Sequence, residues 1–168
     1  MAVAKLATLK PAFSASGSIT AGNASGINDG AALLLLASAD AARRRGWHAL
    51  ARLADWSVVG CDPAAMGLGP VHAIRRLRER GVDAAACDLI ELNEAFAAQA
   101  IACQRELQLP PERLNRCGGA IAIGHPIGAT GARLLVHLAQ RIAAGAGRSG
   151  LASLCVGGGM GIAMHLHC

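Results

Sequence analysis

Four short stretches of this chain carry side chains that can move a proton or polarise a carbonyl. The first, Gly118 to Arg133, reads Gly-Gly-Ala-Ile-Ala-Ile-Gly-His-Pro-Ile-Gly-Ala-Thr-Gly-Ala-Arg. Pro126 disfavours helical backbone at His125, so the imidazole is held on an extended residue just before a helix. Histidine titrates near neutral pH, so such a placement suits acid–base work. By itself the pattern fits a turn-closing histidine equally well. The second stretch, Asn93-Glu94-Ala95-Phe96, joins the apolar run Cys87–Leu92 to an Ala-rich segment. Either Asn93 there is an ordinary helix cap, or Asn93 and Glu94 together form a ligand site at the C-terminal edge of a sheet. In the third, Cys155 precedes Gly157-Gly158-Gly159-Met160-Gly161. This is either a glycine hairpin turn or a thiol at a site mouth with a glycine N–H beside it. The fourth, Gly17–Gly30, is rich in Gly, Ser, Asn and Thr. Such residues form tight turns that bring backbone donors to a ligand, or simply a long surface loop.

The elements that must position these loops follow from pattern. Ala31–Ser38 is an apolar run and predicts a buried strand. Asp40 caps a helix to Arg45, and Gly46 stops it. Ala49–Val59 mixes apolar and polar residues, as expected nearer a sheet edge. Cys61–Pro70 is a loop carrying Met66. Pro70 opens a helix through Arg80, with Val71, Ile74 and Leu77 inward and Gly81 as the stop. Cys87–Leu92 is a buried strand, Ala95–Leu107 a helix, and Pro110-Pro111 its end. Ala120–Ile123 reads as strand or extended, and Ala129 to about Ala143 as a helix. Leu151–Val156 and Ile162–His167 are strands joined by a turn too short for a parallel crossover. The fold class is therefore α/β with a mixed sheet.

Composition narrows the function. The 168 residues, 53% of them apolar, suit a single domain over 1–168, with residues 1–16 as a connector. No apolar run approaches the ~20 residues that span a bilayer, and no secretory pattern opens the chain, so a soluble, cytoplasmic protein without membrane contact is expected. The six cysteines show no Cys-x-x-Cys pair, so no metal is expected, and five of them read as buried reduced thiols. The net charge of +5 comes with Arg43–Arg45 and Arg75–Arg80 clusters, yet with only two Trp, two Phe and no Tyr. Nucleic-acid binding would want stacking aromatics beside the charge, so solvated helix faces explain the clusters better. Gly124, Gly128 and Gly131 before a helix suggest a phosphate cradle, but the Lys-Ser/Thr of a P-loop is missing.

Taken together and in order, Gly22–Gly30, Asn93-Glu94-Ala95-Phe96, Gly124-His125-Pro126 and Cys155–Gly161 resemble the thiolase family, over the C-terminal half of its subunit. The resemblance implies the C-terminal thiolase lobe, a five-stranded mixed sheet with helices on both faces. It implies acetyl-CoA acetyltransferase chemistry: Claisen condensation of two acetyl-CoA, or thiolysis of acetoacetyl-CoA, through an acylated cysteine. By the same resemblance, His125 activates that nucleophile, Cys155 takes the α-proton, and Asn93 stabilises the enolate oxygen through a water. Gly157 lends its N–H to a second oxyanion hole, and Ala21, Ser25, Met66, Ala95 and Phe96 line the pantetheine tunnel. No cofactor is implied, coenzyme A being substrate and product. The family's nucleophilic cysteine lies in its N-terminal half, which is expected to be absent here, and none of the six cysteines sits in a matching context. The chain alone is therefore expected to be inactive, its partner being an N-terminal thiolase lobe and the complete protein a homo-oligomer. A degradative 3-ketoacyl-CoA thiolase lobe and a non-catalytic scaffold lobe are the alternatives.

Overall fold

The computed structural model describes residues 3–168. Four strands form one sheet in the order β1-β4-β3-β2, with β1 at Arg52–Gly60, β2 at Leu89–Leu92, β3 at Ser149–Val156 and β4 at Met160–His167. β2 runs parallel to β3, while β3–β4 and β4–β1 are antiparallel, so the sheet is mixed. The helices are α1 (Val3–Leu6), α2 (Ala39–Arg45), α3 (Gly69–Arg78), α4 (Ala97–Leu107), α5 (Ala120–Ile123) and α6 (Thr130–Ala143).

Helices cover both faces of the sheet, as expected. On one face the α3 stripe Ala73, Ile74 and Leu77 packs against Ile90, Leu151 and Ala163. On the other, Leu134, Leu138 and Ile142 of α6 repeat every four residues and pack on Leu89, Ala152 and Leu166. Burying these side chains supplies most of the favourable free energy, roughly 1.5–3 kcal/mol for each large one. α4 adds Ala100 and Cys103 beside Val71 and Leu92, on the α3 side. Where α3 meets β4, Gly69 and Gly161 lie backbone to backbone, and a methyl group on either would strike the other segment. That contact seats the Met66 turn beside the end of the β3–β4 hairpin.

Three expectations need correction. Ala31–Ser38 is not a strand: it has no regular structure, and Leu33, Leu35 and Leu36 are 89%, 74% and 76% exposed. A strand needs a neighbour to pair its N–H and C=O groups, and no described strand lies alongside this one. The sheet accordingly has four strands, not five. Ala120–Ile123 is a single helical turn, because the Glu94 carboxylate accepts the Ile121 N–H at the positive end of that turn. Finally, only Cys87, Cys103 and Cys155 are buried; Cys61 is partly buried, and Cys117 and Cys168 are exposed, all without disulfides. Among the described residues no helix is long and apolar enough to cross a membrane.

Candidate active site

β2 and β3 are parallel, so their C-terminal ends finish at the same edge of the sheet, where ligands of α/β proteins commonly bind. The Asn93 N–H extends the ladder by donating to Ser153 C=O at 2.9 Å. Asn93 is thereby fixed at that edge, on the strand next to Cys155, and its side chain is 1% exposed. Asn115, on a left-handed backbone residue, clamps the other side of β2: its side chain accepts from Leu92 N–H and donates to Leu92 C=O.

His125 enters from the loop before α6. Its N–H donates to Gly26 C=O at 2.8 Å, in a parallel bridge with Ile27. Gly124, at φ 95°, lies directly against the Asn28 side chain, and Gly30 lies against the Pro126 ring. A β-carbon at Gly124 would therefore meet both strain and collision. The ring's two nitrogens are both engaged. Nε2 stands 3.3 Å from Asn93 Nδ2, and Nδ1 stands 2.7 Å from Thr130 Oγ1. Burial holds the imidazole pKa below its ordinary value, and the Arg133 guanidinium adds to this. A neutral ring is the form that can accept a proton.

Cys155 closes β3 with only 8% of its surface exposed. Burial pushes its thiol pKa up, with nearby Cys61 adding to the rise. A histidine beside a thiol can draw its pKa toward neutrality, but here the shift runs the other way. The imidazole's hydrogen bonds go to Asn93 and Thr130, not to Cys155. Gly157 is exposed in the hairpin turn, which Gly158 and Gly159 complete at φ 88°. Cys61 N–H holds this turn to the end of β1 through Gly159 C=O at 2.8 Å.

The substrate-lining positions fall into two groups. Ser25 is bound to Ala95: its N–H and its hydroxyl both donate to Ala95 C=O, each at 3.0 Å. Phe96 bridges Ala24 and carries Phe13 edge-on at 5.9 Å. Ser25, Ala95 and Phe96 thus form one wall. Met66 sits in a short 3-10 turn, Pro63–Leu68, anchored by the Cys103 thiol donating to Gly67 C=O at 3.2 Å. Ala21 lies in an exposed turn, with Gly22 beside it against Leu6 and Leu9. An open hollow of about 340 Å³ lies next to His125, between Asn28–Ala32 and the start of α6.

Sequence reading passed over two polar residues, Thr130 and Glu91, and offered a third, Glu94, as a possible ligand group. Thr130 is fully buried under the imidazole. Glu94 is structural, accepting from Asn115 Nδ2 at 2.8 Å and from Ile121 N–H at 3.2 Å, with Gly119 pressed against it. Glu91 is buried on the α6 side, where burial pushes its carboxyl up to about 7, with His137 Nε2 at 3.4 Å. Of the two passed over, only Thr130 had a local cue, since a Thr at a helix start often bonds back to the backbone.

In this α/β lobe an imidazole and a carboxamide meet at the end of β2, and the neighbouring strand β3 carries a buried thiol. Comparison with known proteins gives the lobe a family. Residues 47–168 match the thiolase C-terminal domain, and residues 1–40 match the thiolase N-terminal domain. The chain belongs to the thiolase family. It is 54% identical over 160 residues to an acetyl-CoA acetyltransferase of Shinella zoogloeoides, covering 95% of this chain and 41% of that protein. A Pseudomonas aeruginosa acetyl-CoA acetyltransferase is 54% identical over 165 residues, covering 98% and 42%. The crystal structure of the Bacillus anthracis acetyl-CoA acetyltransferase superposes with a TM-score of 0.94 at 48% identity, over 99% of this chain and 42% of that one. Human mitochondrial 3-ketoacyl-CoA thiolase in complex with CoA superposes with a TM-score of 0.90 at 39% identity, over 99% and 43%. The chain thus spans about two fifths of the length of the relatives it matches.

Proposed function

We propose that this chain is the C-terminal lobe of an acetyl-CoA acetyltransferase, acting on acetyl-CoA and acetoacetyl-CoA once joined by an N-terminal thiolase lobe. The observation that carries this reading is the 3.3 Å approach of Asn93 Nδ2 to His125 Nε2, on a buried edge next to Cys155. In the condensation, Cys155 would take the α-proton of the incoming acetyl-CoA. The enolate oxygen would be met by donors from the Asn93 and His125 side. The enolate carbon would then attack the acyl group on the partner lobe's cysteine, expelling the thiolate. Preorganised donors of this kind are worth several kcal/mol each at a developing oxyanion. Burial keeps Cys155 protonated, which suits the cleavage direction, where the enolate carbon must receive a proton. Gly157 N–H, exposed in its turn, would serve the second oxyanion.

The nucleophilic cysteine comes from the other lobe, so the isolated chain is expected to show no cleavage of acetoacetyl-CoA by CoA. Joined to an N-terminal lobe, it should turn over, and His125→Asn should cost about 10²–10⁴-fold in kcat. Robust turnover by the isolated chain would overturn the division of labour, and an unchanged rate in His125→Asn would overturn the site. The CoA-bound degradative neighbour supports a second reading, a 3-ketoacyl-CoA thiolase lobe. Comparing acetoacetyl-CoA with a long-chain 3-ketoacyl-CoA on the complete protein decides between them. We expect the short substrate to win, and the complete protein to be a homo-oligomer by sedimentation.

A further inference from the structure

The hydrogens around Thr130 decide which nitrogen of His125 carries the proton. Thr130 Oγ1 lies 2.7 Å from His125 Nδ1 and 3.0 Å from Pro126 C=O. A hydroxyl has one hydrogen to give. If it goes to Pro126 C=O, Thr130 must accept from Nδ1–H, and Nε2 is left bare to accept from Asn93 Nδ2. Three hydrogen bonds are then made, one of them with a single hydrogen of the Asn93 amide. If instead the hydroxyl donates to Nδ1, Nε2 must carry the proton. Asn93 would have to turn its amide oxygen toward it, leaving both Nδ2 hydrogens of a 1% exposed residue without an acceptor at this ring. That arrangement makes two hydrogen bonds where the first makes three; it strands both Asn93 amide hydrogens, while the first strands one of them and the amide oxygen, so the additional bond favours the first.

We infer that Thr130 is a positioning residue that fixes His125 in the Nδ1–H tautomer, so that the bare Nε2 faces the site edge beside Asn93. Thr130 is 0% exposed and sits in the first turn of α6, and its own N–H also donates to Pro126 C=O at 2.9 Å. The hydroxyl and the loop it locks are thus a single rigid unit. The catalytic meaning, a base already oriented toward the reacting groups, rests on the function proposed above; the tautomer itself does not.

The test is heteronuclear NMR of the nitrogen-labelled chain at about pH 8, above the ordinary histidine range, where a protonated ring nitrogen separates widely from a bare one. Loss of signals in His125→Asn assigns the ring. Wild type should show Nδ1–H with Nε2 bare, Thr130→Ser should keep that pattern, and Thr130→Val should move the proton to Nε2. Nε2–H in the wild type overturns the inference, whether or not any variant folds. An Nδ1–H ring that persists in Thr130→Val overturns the role of Thr130. The spectrum needs no turnover, so an absent acyltransferase activity with the expected tautomer would count against the function alone.

Discussion

Two regions of this lobe are built on opposite terms. At the C-terminal edge of β2 and β3, backbone ends and polar side chains are tied together: Asn93 to Ser153, Asn115 to Leu92, Glu94 to Ile121, His125 to Gly26. At the other extreme, Ala31–Ser38 is apolar, unpaired and exposed. Trp56 and Val58 of the edge strand β1 are likewise more than half exposed, on the face that α6 leaves bare. The comparison teaches that apolar content does not bury a segment; a partner surface does. The site loops find their partners within the chain. The leucine run falls in the part matching the thiolase N-terminal domain, so its expected partner is the rest of that domain.

The contrast can be broken at the leucines first. Replacing Leu33, Leu35 and Leu36 together by Ser should abolish assembly with an N-terminal lobe, a loss of 10²-fold or more in affinity if each buried leucine supplies about 1.5–3 kcal/mol. Sedimentation of mixed lobes reads this, and the same triple variant should make the isolated lobe less prone to self-associate. Unchanged assembly would mean that the run stays exposed in the complete protein.

A smaller effect is expected inside the tied region. Glu94→Ala leaves the Asn115 amide and the Ile121 N–H without their acceptor, and should cost about 1–3 kcal/mol in a denaturant titration. A neutral result would show the Glu94 clamp to be replaceable by water.

The mildest test sharpens the comparison through pH. Glu91 faces His137, Arg133 and Arg141 of α6 and feels Glu94, yet burial outweighs the arginines and raises its carboxyl from 4.5 to about 7. A raised carboxyl favours the protonated folded state. Its contribution is therefore full below the unfolded value and lost as pH climbs through the folded one. The lobe should lose up to about 3 kcal/mol between pH 4.5 and 7 from this group. His137, its pKa lowered mainly by burial, acts in the opposite sense, since its protonation favours unfolding as pH falls. Glu91→Gln should flatten the neutral-side decline and leave the acid-side one. A decline unchanged in Glu91→Gln would place its cause elsewhere.

Local pattern reached far into this molecule. The Val71, Ile74 and Leu77 stripe, the glycine stops at Gly46 (φ 65°) and Gly81 (φ 91°), the antiparallel final hairpin and the strand-to-helix position of Asn93 were all legible. So were the loops on which the family resemblance rests, because turn chemistry and periodicity are properties of neighbouring residues. Tertiary structure alone decided that Ala31–Ser38 stays unpaired, that Glu94 turns Ala120–Ile123 into a helix, and that Glu91 is buried. It also decided that the imidazole meets Asn93, 32 residues away in sequence, with Thr130 beneath it. The physical reason is common to all four. Burial, hydrogen-bond partnership and the seat of a proton depend on which distant groups the fold brings within about 3 Å, and no local window contains that distance.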